Sequence, residues 1–585
     1  MGYHARSQYS ALYSLGNIKD GGMKVELKAV LFDTRSIQKY IFSGNKLRTN
    51  IGASYLVDRV FDDALIAVLK TSLTNEEVDE SSWKENQRND YDWEDMPKKC
   101  RVAYIGGGNA LILFKQAVED ECIKDIVTDF SRKVLLEYPG LHTGAAIGII
   151  RIDKEGYYLD EEGERLTSQN NSEKNTLTQL VRQLKKQQNT SFPIRSIQYT
   201  GMTLACEATG EAAIVHNYSL GRDISAELDS KMYVTSKNSD KLSLTDASLL
   251  NKLNGVGNLN LEGYSFPMNL EDLGQKETES YIAIVHIDGN NMGRMFSRCN
   301  TLTLRKNRSL EVRKNTIDAF CELLKTIISK DYVNYERFLS LGKDEKGNRF
   351  LPIRPIVLGG DDMTFVCTAK LAILYAKRIM ERLKKLGIWS CCGITIQPVN
   401  YPFFRGYELA EQLCSEAKKS MRAIEPEIPM DKVIEENVPK RKKNNKKSNN
   451  KKNAGSCWLD YAIIHGEQPS SLSQLREQSY RRNNGDSLHF GPYRLLEKGD
   501  VKSLDKLEDL LMQIQEMPSG KIKDLRNVLT RGEHERIKYI EQLNKLGINI
   551  PVTKGWEEYG IAFWHEHYTP YLDAIELIDY YWNGK

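Results

Sequence analysis

Apolar residues along this chain fall into two rhythms, short unbroken runs and longer stripes at helical spacing, and the two alternate in the same order twice. The first set opens with Ala29-Val-Leu-Phe32, a run suited to a buried strand, which ends at Asp33. Ala53, Leu56, Val57, Val60, Phe61, Ala64, Leu65 and Val68 then recur every three or four positions, the mark of a helix with one apolar face. Two further apolar runs between Val102 and Phe114 are divided by Gly106-Gly-Gly-Asn109, which predicts a hairpin with glycines at its tip. A glycine-containing strand over 143–150 closes the set. The second set repeats it: a run from Tyr281 ending at Asp288, a stripe at Ile317, Phe320, Leu324, Ile327 and Ile328, a hairpin broken by Gly359-Gly-Asp-Asp362, and a strand over 392–396. Strand, helix, hairpin, helix, strand, met twice, predicts an α+β chain with two ferredoxin-like units. We place the first unit at 23–215 and the second at 281–465. A connector with short helices spans 216–280. Leu504, Leu507, Leu510 and Leu511 at helical spacing predict a helical C-terminal domain over 466–585, and residues 1–22 read as a polar leader.

The second hairpin tip carries the chemistry. Gly359 and Gly360 permit positive φ and let a ligand approach the backbone closely. Asp361 and Asp362 sit where the strand restarts, and adjacent carboxylates there repel unless a cation such as Mg²⁺ or Mn²⁺ lies between them. Asp288, at its own strand's end, supplies a third carboxylate able to reach a neighbouring hairpin. It runs into Gly289-Asn290-Asn291-Met-Gly293, a loop-to-helix junction whose free N–H groups suit phosphates. A polar hairpin tip and a helix-capping Asp288 are the plainer readings. The repeat favours the metal centre. Asp33 lies 73 positions before Gly106 and Asp288 lies 71 before Gly359, so aligning the tips puts Gly108 on Asp361 and Asn109 on Asp362. One unit keeps the acids; the other keeps the glycines and lacks them. Two divalent ions about 4 Å apart, held by such acids, are what nucleotidyl transfer uses.

Composition narrows the setting. A chain of 585 residues has room for about four domains. No apolar run approaches the roughly 20 residues of a membrane span, and no signal peptide is evident, which predicts a protein of the cytoplasm with no membrane partner. Ten cysteines without a C-x-x-C pair point to a reducing compartment and to no structural zinc; Cys206 stands without a near partner. Net charge is +3, but eight lysines and arginines fall between Lys440 and Lys452, and without them the balance is −5. That basic insertion, 439–453, reads either as a solvated linker or as a tether to nucleic-acid phosphates.

These stretches resemble a known family. Asp33-Thr-Arg-Ser-Ile-Gln-Lys-Tyr-Ile-Phe42, Gly52-Ala-Ser54, Leu204-Ala-Cys-Glu-Ala-Thr-Gly210, Asp288-Gly-Asn-Asn-Met-Gly293, Gly359-Gly-Asp-Asp362, Tyr407-Glu-Leu-Ala-Glu-Gln-Leu-Cys-Ser-Glu-Ala-Lys418 and Ser456-Cys-Trp-Leu-Asp-Tyr-Ala-Ile-Ile464 are similar to segments of the large subunit of type III CRISPR effector complexes, the tandem-palm polymerase/cyclase of Csm and Cmr type. The likeness covers about 25–465, with a lean to the Cmr type. It implies an ATP-using nucleotidyltransferase, switched on when guide RNA pairs with target RNA. Its product would be a cyclic oligoadenylate, or an AMP conjugate such as that with S-adenosylmethionine. Asp288, Asp361 and Asp362 would be catalytic and hold two Mg²⁺ or Mn²⁺ ions. Gly289, Asn290, Asn291, Gly293, Gly359 and Gly360 would meet the nucleotide. Ser54, expected at the first turn of its helix, would touch a base or else serve as a cap. Lys418 would meet phosphate or else lie on a solvated helix face. Partners would be the RNAs and the complex's backbone and small subunits.

Two departures from the family are expected to matter. The chain has no His-Asp dipeptide and its first palm starts near residue 25, so no HD nuclease domain is expected. The cysteine ribbon of relatives is missing as well. Two rival readings stay open: a non-catalytic RNA-binding scaffold of the same complex, and a diguanylate-cyclase-like enzyme, from which Asp362 and Met363 depart.

Overall fold

The structure, a computed structural model, describes residues 24–424 and 455–582. Internal stretches at 82, 85–95, 97, 161–162, 167–174, 191–200, 219, 237–241, 274–279, 340, 467–470 and 496–498 are excepted. The leader 1–22 and the basic insertion 439–453 lie outside the described residues.

The first unit runs β1 (Val25–Arg35), α1 (Leu47–Arg59), β2 (Cys100–Gly106), β3 (Asn109–Phe114), α2 (Asp120–Glu137) and β4 (His142–Ile152). Its sheet has the order β2-β3-β1-β4, with β1 antiparallel to both neighbours and the short strand Val78–Asp79 on the β2 edge. Two connector helices follow, α3 (Ala226–Thr235) and α4 (Leu244–Gly257). The second unit runs β5 (Tyr281–Gly289), α5 (Leu302–Thr326), β6 (Ile353–Gly359), β7 (Asp362–Thr368), α6 (Ala372–Lys385), β8 (Ser390–Pro398), α7 (Phe403–Ile424) and β9 (Cys457–Ile463). Its sheet begins in the same order, β6-β7-β5-β8, and continues through β9 to β10 (Tyr493–Leu495).

The repeat extends to details of the backbone. Asp33 pairs with Asn109 across β1 and β3, and Asp288 pairs with Asp362 across β5 and β7. Both hairpins carry a bulge at the same place, between Val102 and Tyr104 in one and between Pro355 and Val357 in the other. The bulge explains how Pro355, which has no N–H for a ladder, is tolerated within a sheet. The N–H of Thr34 donates to the Gly108 carbonyl at 2.8 Å, as that of Gly289 does to the Asp361 carbonyl at 3.2 Å. Each unit's long helix also passes through a π-helical turn, Val60–Leu65 and Ile327–Asp331.

β5 is buried on both faces, which is why its sequence reads as one continuous apolar run. Ala283, Val285 and Ile287 face a core built with α5 and α6; Ile282 and Ile284 face a second core shared with α1 and the first sheet. By strand alternation His286 and Asp288 continue the row toward the first unit. The two units are further joined by Phe42, which stacks on Tyr407 of α7 with ring centroids 3.5 Å apart. Many of the described residues beyond 465 share the second unit's core. β10 extends the second sheet, and Leu504, Leu507, Leu510 and Leu511 of α8 (Leu504–Gln515) are buried in the same cluster as β9. Among the described residues no helix is long and apolar enough to cross a membrane.

Candidate functional site

Both hairpin tips open onto one cleft of about 270 Å³ between the units. Gly106–Gly108 line one part of it and Gly359–Asp362 another; α1 contributes Ser54, Tyr55 and Asp58, and α5 contributes Leu310 and Arg313. The second tip turns on Gly360 at φ +66°, whereas the first uses two left-handed glycines, Gly107 and Gly108. Replacing the second of these by Asp361 is compatible with the turn because only its first central residue needs positive φ.

β5 and β7 bring Asp288, Asp361 and Asp362 together. Oxygens from the three carboxylates lie within 4.8 Å of one another. Burial and the neighbouring Asp288 charge raise the Asp361 carboxyl above its usual range. Burial, followed by the charges of Asp288 and Asp361, pushes Asp362 up to about 8. Among the described residues one cation answers them. Lys418, on α7 and one-fifth exposed, forms an ion pair with Asp288, and that carboxylate keeps its ammonium charged against the effect of burial. Lys418 is therefore committed to Asp288 rather than lying on a solvated helix face. Three half-buried carboxylates against a single ammonium form an all-oxygen donor set with excess negative charge, which fits a hard divalent cation. A second group, His286, Asp288 and Cys414, is equally close, but His286 shares a 3.0 Å hydrogen bond with Thr364 and the Cys414 thiol donates to the Cys391 carbonyl. Burial pushes His286 down to about 4, so this group is a neutral, packed floor beneath Asp288.

The remaining expected site residues divide. A Cβ on Gly289 would crowd the Asp361 Cβ at 3.0 Å and the Met292 Cε at 2.7 Å, so glycine allows the loop and the tip their close approach. Gly359 and Gly360 face open space where a Cβ would be. Asn290 turns inward: its N–H donates to the Trp389 carbonyl at 2.7 Å and its amide to the Ser456 carbonyl at 3.3 Å. Its donors hold β5 to the neighbouring strands. Asn291 is exposed and left-handed at φ 60°, and Gly293 is exposed in the short helix Met292–Ser297 that follows. Ser54 corrects an expectation. Its helix begins at Leu47 with Lys46 at the cap position, so Ser54 is neither a cap nor in the first turn; it is an interior residue that lines the cleft.

Three cleft residues carried no signal in the sequence. Lys252 of α4 pairs with Asp58 at 2.7 Å, and Arg313 of α5 approaches the same carboxylate at 3.7 Å. Although burial opposes it, these two cations hold Asp58 below the usual carboxylate range. Two cations on one carboxylate make a local excess of positive charge within the cleft that also contains the acids. In sequence they are ordinary polar positions on amphipathic helices, and only the packing of three helices assembles them.

Neither a protein-family model nor a curated protein matches the sequence. Several solved structures align with it. An apo Csm1-Csm4 cassette aligns at 11% identity over 96% of this chain and 70% of that one, with a TM-score of 0.45. The cassette in complex with cA4 aligns at 12% identity over 68% and 53%, with a TM-score of 0.41. The Csm1-Csm4 subcomplex of the type III-A CRISPR-Csm interference complex aligns at 11% identity over 68% and 53%, with a TM-score of 0.40. The matched structures are of Csm1-Csm4 cassettes. This chain spans about half the length of two of these Csm chains.

The charge imbalance at the triad has a measurable consequence. Asp362 titrates near 8 in the fold and at its ordinary 3.8 in the unfolded chain. Between those values the fold holds a proton that the unfolded chain has released, so this group's contribution to stability falls as pH rises and levels off above 8. Asp362→Asn is therefore expected to stabilise the chain in EDTA, by on the order of 2 kcal/mol at pH 8.5 and by less at pH 5. Chemical denaturation at the two pH values measures it; a gain independent of pH contradicts the assignment.

Proposed function

We propose that this chain is the large subunit of an RNA-guided type III CRISPR effector, and that its two units are palm domains forming one ATP-dependent nucleotidyl-transfer centre. The observation that carries the reading is the convergence of Asp288, Asp361 and Asp362 at a cleft faced by the matching, acid-free tip of the other unit. The three carboxylates would hold two Mg²⁺ or Mn²⁺ ions. When bound, such ions favour ionisation of an attacking 3′-hydroxyl and offset charge on a departing pyrophosphate.

The chain's own residues supply positioning. Lys418 orients Asp288 through their ion pair. Gly359 and Gly360 leave the tip bare, so that a substrate can lie against the backbone. Ser54 and Tyr55 line the cleft from the α1 side, where a second nucleotide would sit facing the first. Lys252 and Arg313 suit polyphosphate, with Asp58 holding them in place meanwhile. Holding two reactants in register contributes several kcal/mol to such a reaction. Guide RNA, target RNA and the complex's other subunits are the partners this reading implies.

Incubating the assembled, target-RNA-bound complex with labelled ATP and Mg²⁺ or Mn²⁺, with products identified by mass spectrometry, tests the proposal. Adenylate products are expected. Preference for GTP points instead to a diguanylate-cyclase-like enzyme, and absence of any product dependent on the acids leaves a scaffold. Within the same assay Arg313→Ala and Lys252→Ala are each expected to raise the KM for ATP about tenfold with a smaller effect on kcat, as loss of a charge-assisted contact predicts. An unchanged KM in both removes them from the binding site.

A further inference from the structure

The structure assigns to Thr316 the role of a positioning residue for the carboxylate triad; the inference rests on the metal reading above. Thr316 lies on α5 and is 2% exposed, a buried hydroxyl beside apolar neighbours. Its Oγ1 donates to the Gly360 carbonyl at 2.8 Å and lies 3.0 Å from the Val312 carbonyl one turn back in its own helix. The second contact is the default for a helical threonine. The first reaches out of the helix to the hairpin tip, 44 residues away. A single hydroxyl proton serves one acceptor at a time, so the tip competes for it with the helix.

The peptide it grips matters. Gly360 is the left-handed residue of the turn, and its carbonyl belongs to the peptide unit leading into Asp361. On the other flank the Asp361 carbonyl accepts from the Gly289 N–H at 3.2 Å. Both peptide groups bordering the Asp361 Cα are thus tied, one to α5 and one to β5. With both peptide planes held, the Cα–Cβ bond of Asp361 has a fixed direction, and so does the start of β7 at Asp362.

The first unit's tip has no equivalent of the α5 tie among the described residues. It keeps the strand-side bond, Thr34 N–H to the Gly108 carbonyl. The Gly107 carbonyl, which corresponds to that of Gly360, has only the Asn109 side-chain amide of its own turn at 3.5 Å, and among the described residues no α1 side chain reaches it. A hairpin of matching register and bulge, its tip turned by two left-handed glycines, forms there without a helix hydroxyl. The tie occurs at the tip that carries the acids.

Mn²⁺ titration of the full chain, read by electron paramagnetic resonance of the free ion, tests this for Thr316→Val, Thr316→Ala and Thr316→Ser. Removing a group that supports metal ligands typically weakens metal binding 10- to 100-fold. Val and Ala are expected to bind Mn²⁺ at least about tenfold more weakly, while Ser, which keeps the hydroxyl, binds close to the unsubstituted chain. The thermal midpoint of the Val variant should stay near that of the unsubstituted chain. Where Val does not fold, the Ser and Ala variants, which differ by one hydroxyl, decide the matter. Mn²⁺ affinity in the Val and Ala variants equal to that of the unsubstituted chain, with binding still lost in Asp361→Ala/Asp362→Ala, overturns the role of Thr316 alone. No Mn²⁺ binding by the unsubstituted chain overturns the metal reading and this inference with it.

Discussion

Asp361→Ala/Asp362→Ala is expected to lower nucleotide product formation by the target-activated complex at least about a thousandfold, the scale at which catalytic charge stabilisation is lost. The chain should remain folded. Asp288 would then face Lys418 as a single ion pair, a neutral arrangement with no surplus to attract a divalent ion. The two acids removed are those that burial and mutual repulsion hold in a raised, unfavourable state, so the metal-free double variant should be no less stable than the parent. Loss of activity with an unchanged or higher thermal midpoint therefore separates chemistry from folding. Activity within about tenfold of the parent is too small a loss for removal of a metal centre, and it would place the chemistry elsewhere.

The second large effect concerns how α7 is seated. A Cβ on Gly393 of β8 would stand 1.9 Å from the Ala410 carbonyl oxygen and 2.5 Å from the Cys414 nitrogen, both backbone atoms of α7. Neither can rotate away, so the helix must move bodily off the sheet. That shift disturbs the small core of Cys391, Cys414, Ala417, Met421 and Trp458, and it draws Lys418 away from Asp288. Gly393→Ala is expected to cost about 3 kcal/mol, at the high end for overpacking. The midpoint of the unit should fall by roughly 6–12 °C. Calorimetry of the full chain, with ATP turnover measured below the lowered midpoint, reads both consequences. An unchanged midpoint would mean that helix and sheet are not in the contact described.

Much of the frame was legible in the sequence because it follows from periodicity. The two apolar hairpins, the stripes from Ala53 to Val68 and from Ile317 to Ile327, and the leucines of α8 all became buried faces of the expected elements. The alignment of Gly108 with Asp361 holds down to equivalent hydrogen bonds, since a tip glycine and its ladder register are local properties. The convergence of Asp288 with Asp361 and Asp362 was legible for the same reason: each ends or begins a strand, and strand order sets which ends meet. What could not be read depends on tertiary packing. Asp58, Lys252 and Arg313 come from three helices that touch only in the fold. Thr316 looks like any β-branched helix residue until its hydroxyl is found on a tip 44 residues away. Ser54 was misplaced because its helix starts earlier than its apolar stripe, at Leu47, with no capping side chain to mark the start. The boundary at 465 falls inside a continuous core because β10 returns to the sheet from a segment that local patterning assigned to helices.

The central claim is that Asp288, Asp361 and Asp362 hold divalent ions against a nucleotide in the cleft between the units. The most direct measurement is anomalous scattering at the manganese edge from crystals of the chain grown with Mn²⁺ and a non-hydrolysable ATP analogue. Manganese peaks are expected within coordination distance of all three carboxylates, with the analogue's phosphates in the same cleft. Manganese bound elsewhere, or a nucleotide seated in the cleft with those carboxylates uncoordinated, would contradict it.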